Sequence, residues 1–492
     1  MPTTNIIMIA SDIRTTGVTR SPLLLSFLAV ASKIAPPAPS AAAGVGLVIP
    51  PKIEPRTATI KTSGGNTILM RSFANKRFND SLTPYSAIRP GIAISNVATP
   101  GLVNTHHHFY QNMARAYTPG NNLPLLPWLE RMNRLWKHFR EDDLQVCTQL
   151  GIAELMLSGA TTIADHHYLF TEGSSEMTLH QFKAASEMGV RLHASRGSMN
   201  QKSDLISEWA LQDEDTILAD TESLIQTQHD GSPGSYRQVI VAPCAATSCT
   251  KSLLEASAAL AKKFGVGLHT HCGETVAEND FSVEHFKVRP LAYLLDCGWD
   301  YDKTWLAHGI HFNDGEMHQL FNYGIGVAHC PNANMRLGSG ICRVPELIES
   351  GVKVGIGVDG SASNDSGHIL GELRQAMYLA RVKYGAQAMS ALDAIELGSW
   401  RAGQMMGRDD IGELSVGKCG DLALFPVEDL YANAAENPVD ALLICHPRQV
   451  SDLVVGGSVR IQDGSFTDID LAELMNEHKE RAERVRNSAF KR

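Results

Sequence analysis

From Thr99 onward the sequence predicts an α/β chain, a (β/α)8 barrel, on three observations. Eight short apolar runs recur, and most of them close on a polar residue. Helical patterns lie between the runs. Several of those patterns stop at a glycine just before the next run. Continuous apolar runs suit parallel strands buried on both faces. Polar groups gathered at strand C-termini are what a barrel uses to build a site on its C-terminal face.

In chain order the runs are "GLVNTH" ending at His106, "TTIAD" at Asp165, "VRLHAS" at Ser195, "QVIVAP" at Pro243, "VGLHTH" at His271, "TWLAH" at His308, "IGVAH" at His329 and "VKVGIGVD" at Asp359. Gly159, Gly189, Gly265, Gly324 and Gly351 sit where helices should end, because glycine takes the left-handed conformation that closes a helix. One helix is expected from about Glu141 to Ser158, with Glu141, Asp142 and Asp143 at its positive end and Gly159 as its stop. The alternative, a doubly wound open sheet, explains less. No G-x-G-x-x-G follows the first run, and His and Asp at so many strand ends would have no reason.

The first 98 residues differ in kind. They hold 10 Lys/Arg against 3 Asp/Glu and 10 of the 22 prolines, with no His, Cys or Trp. The rest of the chain holds 33 Lys/Arg against 50 Asp/Glu and all 19 histidines. Pro36, Pro37, Pro39, Pro50, Pro51 and Pro55 forbid a continuous helix or central strand there. The apolar run from Leu23 to Ala31 is too short to span a bilayer. With Arg14 and Arg20 upstream it reads as a signal-peptide core, as part of an organellar transit peptide, or as an ill-ordered extension. The segment "RTATIKT" (Arg56 to Thr62) alternates like a strand.

Composition excludes several functions. At 492 residues with 43% hydrophobic content the chain can bury a large core. A net charge of -10 argues against a nucleic-acid binder, which needs a basic surface. The 9 cysteines are scattered without a C-x-x-C pair, so neither a disulfide framework nor a cysteine zinc module is expected, and a reducing, cytoplasmic setting fits.

The histidines point to a metal. His106 and His108 stand at i and i+2, on one face of a strand, where two imidazoles can grip one ion. His107 faces the other way, into packing. In "HTHCGE" His271 can bind the same ion while Glu274 holds a water from its other side. Adjacent first and last strands of a closed barrel bring Asp359 beside His106 and His108. Three neutral imidazoles and a carboxylate suit zinc, and also ferrous iron, with a position left for water. No H-E-x-x-H helix is present, so a zincin protease is not indicated. The H-x-E with P-C-x-x-C pattern of small zinc deaminases is also missing. No lysine ends the fourth run, so a bridging carbamylated lysine, and with it a second metal, is not expected.

Together, "HHHFYQ", "DHHYLF", "QDEDTILAD", "LAHGIHFND", "MRLGSGICRV" and "DGSASNDS" make the chain resemble the amidohydrolase superfamily, in its aminohydrolase branch of base deaminases and triazine hydrolases. The resemblance covers most of Thr99 to Phe425. It implies a metal-dependent hydrolase with one divalent metal, zinc first and iron second, held by His106, His108, His271 and Asp359. It also implies catalytic roles for Glu274 as acid/base, His308 as the partner near the water, and Asp359. The implied reaction is hydrolytic deamination of a free purine-like base, 8-oxoguanine first, with triazine, guanine or isocytosine as alternatives. A non-catalytic scaffold is the rival from another class. A homo-oligomer without nucleic-acid or membrane partners is the expected state.

The family adds a small β-sandwich from segments flanking the barrel. Ile411 to Phe425 and Val450 to Phe466 match its C-terminal half, whereas residues 1–98 lack the expected strand-rich pattern. The expected organisation is therefore 1–98 as an atypical basic segment or partial sandwich, 99–410 as barrel, 411–466 as sandwich and 467–492 as a C-terminal helix. For the substrate, Gln111 and Arg196 can hydrogen-bond a purine edge or be ordinary loop polarity. Trp136 and Trp128 can stack on its ring or simply pack. His166 and His167 are expected at the pocket or its rim, and His329 as a loop-orienting residue. "APCAATS" departs from the family pattern at Ala245, Ala246 and Thr247, which bears on the substrate more than on the reaction.

Overall fold

The eight apolar runs become eight parallel strands: β1 (Leu102–Asn104), β2 (Ala160–Asp165), β3 (Arg191–Ser198), β4 (Arg237–Pro243), β5 (Gly267–Cys272), β6 (Thr304–His308), β7 (Gly326–His329) and β8 (Val354–Ile356). Each pairs with the next in chain order. The structure is a computed structural model. It describes strands at 6–9, 57–61 and 67–71 and residues 96–171, 176–202, 207–446 and 448–490. The apolar run at 23–31 lies outside the described residues.

The ring closes between the first and last strands. Thr105 donates to the Ile356 carbonyl through its amide at 2.9 Å and its hydroxyl at 2.8 Å. Beyond that, His107–His108 pairs in parallel with Asp359–Gly360. Gly357 makes this approach feasible, since a Cβ there would lie 2.7 Å from the His106 Cβ. Every residue of β2 and β3 is buried, as expected for strands covered on both faces.

The helices end where glycine allows. Gly159, Gly189, Gly265, Gly324 and Gly351 all have positive φ. The helix expected over 141–158 runs Asp143–Leu157. It is anchored by the C-terminal helix Leu471–Phe490, whose Arg481 meets Asp142 at 2.7 Å and Asp143 at 3.1 Å, and whose Arg484 also bonds Asp143. Ala482 and Val485 of the same helix are buried with Trp128 and Trp136. The chain's end therefore braces the roof of the barrel mouth.

A second sheet flanks the barrel. Strand Asn96–Pro100 pairs antiparallel with Leu422–Pro426, and the strands Asp452–Val455, Ser458–Gln462 and Ser465–Phe466 follow in antiparallel order. On its other edge Asn96–Pro100 pairs in parallel with Ile6–Ile9, which is followed by Thr67–Arg71 and Thr57–Lys61. The N-terminal segment thus supplies strands to the same sheet as the C-terminal segment, and "RTATIKT" holds one of them. The chain crosses from sheet to barrel at Gly101, where a Cβ would lie 2.2 Å from the Thr161 hydroxyl. A buried ion pair fastens the two layers: Arg191 on β3 meets Asp421 at 2.6 Å. Asp421 also accepts the Gly456 amide at 2.7 Å.

Candidate metal centre

Four side chains meet at the C-terminal face of the barrel. The Asp359 Oδ1 lies 3.4 Å from His106 Nε2 and 3.2 Å from His108 Nε2. His108 Nε2 lies 3.2 Å from His271 Nε2. The local basis differs from a simple strand face. β1 stops at Asn104, whose side chain accepts the Val358 amide at 2.9 Å. The two-residue ladder with Asp359–Gly360 then sets His106 and His108 toward one point. His107 packs on Phe109 with ring centroids 4.5 Å apart, away from the cluster. Asp359 itself has φ 59, and His308 has φ 76. Non-glycine residues rarely take this conformation, and such strain gathers at functional sites.

The hydrogen bonds decide what this cluster can hold. His108 Nδ1 donates to the His166 carbonyl at 2.6 Å, and His271 Nδ1 donates to the Cys244 carbonyl at 2.7 Å. His269 Nδ1 donates to the Trp305 carbonyl at 2.8 Å, which leaves its Nε2 as an acceptor for the His106 Nδ1 proton, also at 2.8 Å. Burial holds the His106, His269 and His271 pKa values far down, so these rings are neutral. With one proton per ring, His106, His108 and His271 therefore carry it on Nδ1. Three bare Nε2 lone pairs and a carboxylate oxygen face one another, and the buried His106 Nε2 has no hydrogen-bond partner. Acceptors gathered without a donor are stable only around a cation. The donor set, imidazole nitrogen plus carboxylate oxygen, fits a divalent transition metal, and carbonyl partners on the far nitrogens are the usual support for such ligands.

Glu274 and His308 form the adjoining wall. His308 Nε2 lies 3.7 Å from Glu274 Oε2. Burial pushes the Glu274 carboxyl up to about 7. Burial alone would lower the His308 pKa, but the Glu274 and Asp359 carboxylates outweigh it and raise it. The His308 Nδ1 proton goes to Asn334 Oδ1 at 3.0 Å, which fixes the ring. The Glu274 backbone is held in turn: Glu278 accepts the amides of Gly273 and Glu274 at 3.1 and 2.8 Å.

Residues 97–459 match the model of the amidohydrolase family. The chain belongs to that family. It is 43% identical over 390 residues to the 8-oxoguanine deaminase of Pseudomonas aeruginosa, covering 79% of this chain and 87% of that one. Two solved structures share the fold. A triazine hydrolase from Arthrobacter aurescens has a TM-score of 0.76 at 27% identity, covering 79% of this chain and 88% of its own. An adenosine deaminase from Xanthomonas campestris with bound zinc has a TM-score of 0.73 at 26% identity, covering 80% and 87%. As an amidohydrolase, the chain is an enzyme acting on carbon–nitrogen bonds other than peptide bonds.

Above this cluster of side chains the amidohydrolase barrel opens into a cavity of ≈ 260 Å³. His108, His271, Glu274, His308 and Asp359 line its floor. Gln111 and Trp136 line it too, as does Trp128. The Ala362 amide donates to Gln111 Oε1 at 3.3 Å, which holds the carboxamide at the cavity wall. Gly360 makes room for it, since a Cβ there would fall 1.9 Å from that oxygen. Trp136 carries an indole N–H with no partner. Of the departures in the fourth strand's loop, Ala245 and Thr247 face the cavity, while Ala246 is core.

Arg196 is a correction. Its position just past the third run suggested a reach toward substrate, but its buried guanidinium is not among the groups that line the cavity. It donates to the Gly197 carbonyl at 2.7 Å and to Gln212 at 2.5 Å, meets Asp220 at 3.3 Å, and covers the Phe170 ring at 4.0 Å. His166 and His167 are fully buried rather than rim residues. His166 stacks on His271 with centroids 4.8 Å apart.

Sequence reasoning missed the supporting partners. His269 was visible in "HTH" at the same i, i+2 spacing as His106 and His108, yet it serves as an acceptor for His106 rather than facing the cavity. Asn334, in "PNANM", and the carbonyls of His166, Cys244 and Trp305 carry no local signal, because each acts on a ring far away in the chain.

Proposed function

We propose that this amidohydrolase performs hydrolytic deamination of a free purine-like base, 8-oxoguanine first, with zinc as its metal. The observation that carries the reading is the cluster of bare imidazole nitrogens and Asp359 beneath a cavity whose wall is the Glu274–His308 pair. The 43% identity to a named 8-oxoguanine deaminase supports the substrate, and the zinc-bound adenosine deaminase neighbour supports the metal. Nine cysteines, all free thiols, support a reducing compartment.

His106, His108, His271 and Asp359 would hold the metal. Such an ion supplies hydroxide at neutral pH by lowering the pKa of water from 15.7 to about 7. The protein's own groups do the rest. Glu274, with its pKa near neutrality, delivers a proton to a ring nitrogen and makes the adjacent amidine carbon electrophilic. Asp359 accepts the proton of the attacking water. His308, fixed by Asn334, stabilises the negative charge that develops on the oxygen. A carbon–oxygen bond forms, the exocyclic carbon–nitrogen bond breaks, and the amine leaves as ammonia with the proton passed to it. Gln111 offers its carboxamide, and Trp128 and Trp136 their rings, to a flat oxo-heterocycle.

The test is ammonia release from 8-oxoguanine, guanine, isocytosine, cytosine and hydroxytriazines by zinc-loaded protein. The reading expects 8-oxoguanine to give the highest kcat/KM. A higher value for a hydroxytriazine would move the substrate to that class.

A further inference from the structure

One buried carboxylate outside the metal cluster touches both halves of the catalytic machinery. Glu372 lies on the helix Ile369–Tyr384 and is fully buried. Its Oε1 accepts the Asn332 side-chain amide at 2.5 Å and the Asn364 side-chain amide at 2.6 Å. Its Oε2 accepts the Asn332 backbone amide at 3.2 Å. It is not among the residues that line the cavity above the cluster. Burial pushes its carboxyl up to about 8, and polar oxygens buried this deeply are kept only where such donors hold them.

What those donors belong to is the informative part. Asn332 and Asn334 share the short helix Pro331–Arg336, and Asn334 is the group that receives the His308 Nδ1 proton. Asn364 closes the turn after Asp359. Its amide also donates to the Val358 carbonyl at 2.6 Å, which is the peptide unit entering the positive-φ residue Asp359. In the same turn Ser363 donates to Asp359 Oδ2 at 3.2 Å. One carboxylate thus moors the segment that orients His308 and the turn that holds Asp359.

We propose that Glu372 is a positioning residue: by tying Asn332 to Asn364 it fixes His308 and Asp359 relative to each other. Its removal lets both groups drift while leaving the ligand set intact. Outer partners of metal ligands typically change affinity or activity by about 10–100-fold, and a displacement of about 1 Å at a reacting group costs on the order of 100-fold.

The inference rests on the metal-site reading above, and zinc affinity tests it without any choice of substrate. Zinc dissociation constants are measured by chelator competition for wild type, Glu372→Gln, Glu372→Ala and Asn364→Ala, with melting of the metal-free proteins alongside. Glu372→Gln keeps one oxygen for the two side-chain amides but turns an N–H toward the Asn332 amide. The expected order is weakening of zinc by about 10–100-fold in Glu372→Ala and less in Glu372→Gln. Asn364→Ala, a half-buried position, is expected to weaken zinc while melting within a few degrees of wild type, and it carries the test if Glu372→Ala does not fold. On whichever substrate the wild type turns over, kcat falls with KM nearly constant. Wild-type zinc affinity in folded Glu372→Gln and Asn364→Ala overturns the proposal. So does a zinc loss matched in size by the loss of stability of the metal-free fold, which would make Glu372 a structural residue only. An absence of turnover in the wild type would count against the substrate reading and leave the zinc result to decide this one.

Discussion

His106 and His269 are joined by a ring-to-ring hydrogen bond of 2.8 Å, and its direction is set from outside the pair. Because His269 Nδ1 is committed to the Trp305 carbonyl, its Nε2 can only accept. His106 must then carry its proton on Nδ1 and leave Nε2 bare toward Asp359. A main-chain carbonyl on β6 therefore sets the tautomer of His106, which follows β1.

His269→Phe should expose this dependence. The ring volume is roughly kept and the acceptor is lost, so His106 is free to take the wrong tautomer. Zinc affinity is expected to fall about 10–100-fold, read by chelator competition. Unchanged affinity would mean that the His106 tautomer is set elsewhere.

Glu274→Gln should separate binding from chemistry. Glu274 is not among the metal-holding atoms, so one zinc per chain is expected by elemental analysis. Turnover should fall by about 100–10,000-fold, the usual span for a lost acid/base group. Appreciable turnover would remove Glu274 from its role.

The same substitution should change how stability depends on pH. Burial raises the Glu274 carboxyl from 4.5 to about 7. Between those values the folded chain keeps a proton that the unfolded chain has released. The contribution is fully present below 4.5 and is lost as pH rises through about 7. By pH 8 the cost is on the order of 3 kcal/mol. Metal-free Glu274→Gln should accordingly gain on wild type in urea unfolding at pH 8 and not at pH 4.5. An equal difference at both pH values would contradict the assignment.

Arg191→Met tests the joint between the layers. It leaves Asp421 buried without its cation, which typically costs about 3–5 kcal/mol. Urea unfolding should show that loss, while zinc affinity stays at the wild-type value because the pair lies away from the metal cluster.

Gln111→Leu bears on substrate recognition. Removing the carboxamide from the cavity wall should raise KM about tenfold, the value of one hydrogen bond of roughly 1.4 kcal/mol, and leave zinc content unchanged. Steady-state kinetics on the preferred base checks it.

The barrel and its cluster were legible because both rest on local signals. Apolar runs, stopping glycines and polar strand ends each read within ten residues; His106, His271 and Asp359 close such runs, and His108 stands two residues past the first. For Arg196 the sequence left two directions open, because a residue near the end of β3 can point either way, and contacts with Asp220, Gln212 and Phe170 decide between them. The wiring of the centre was invisible for the same reason: His106 and His269 are 163 residues apart. In the N-terminal segment, strands of four or five residues among prolines leave no period long enough to read, and the sheet that takes them is completed by residues beyond 420.

The most direct measurement is ammonia release from 8-oxoguanine by protein stripped of metal and then titrated with zinc. Release should vanish on stripping and return in proportion to zinc, reaching its limit at one equivalent per chain. Release that survives complete metal removal, or a fully zinc-loaded protein that frees no ammonia from 8-oxoguanine or any of the related heterocycles, would contradict the account.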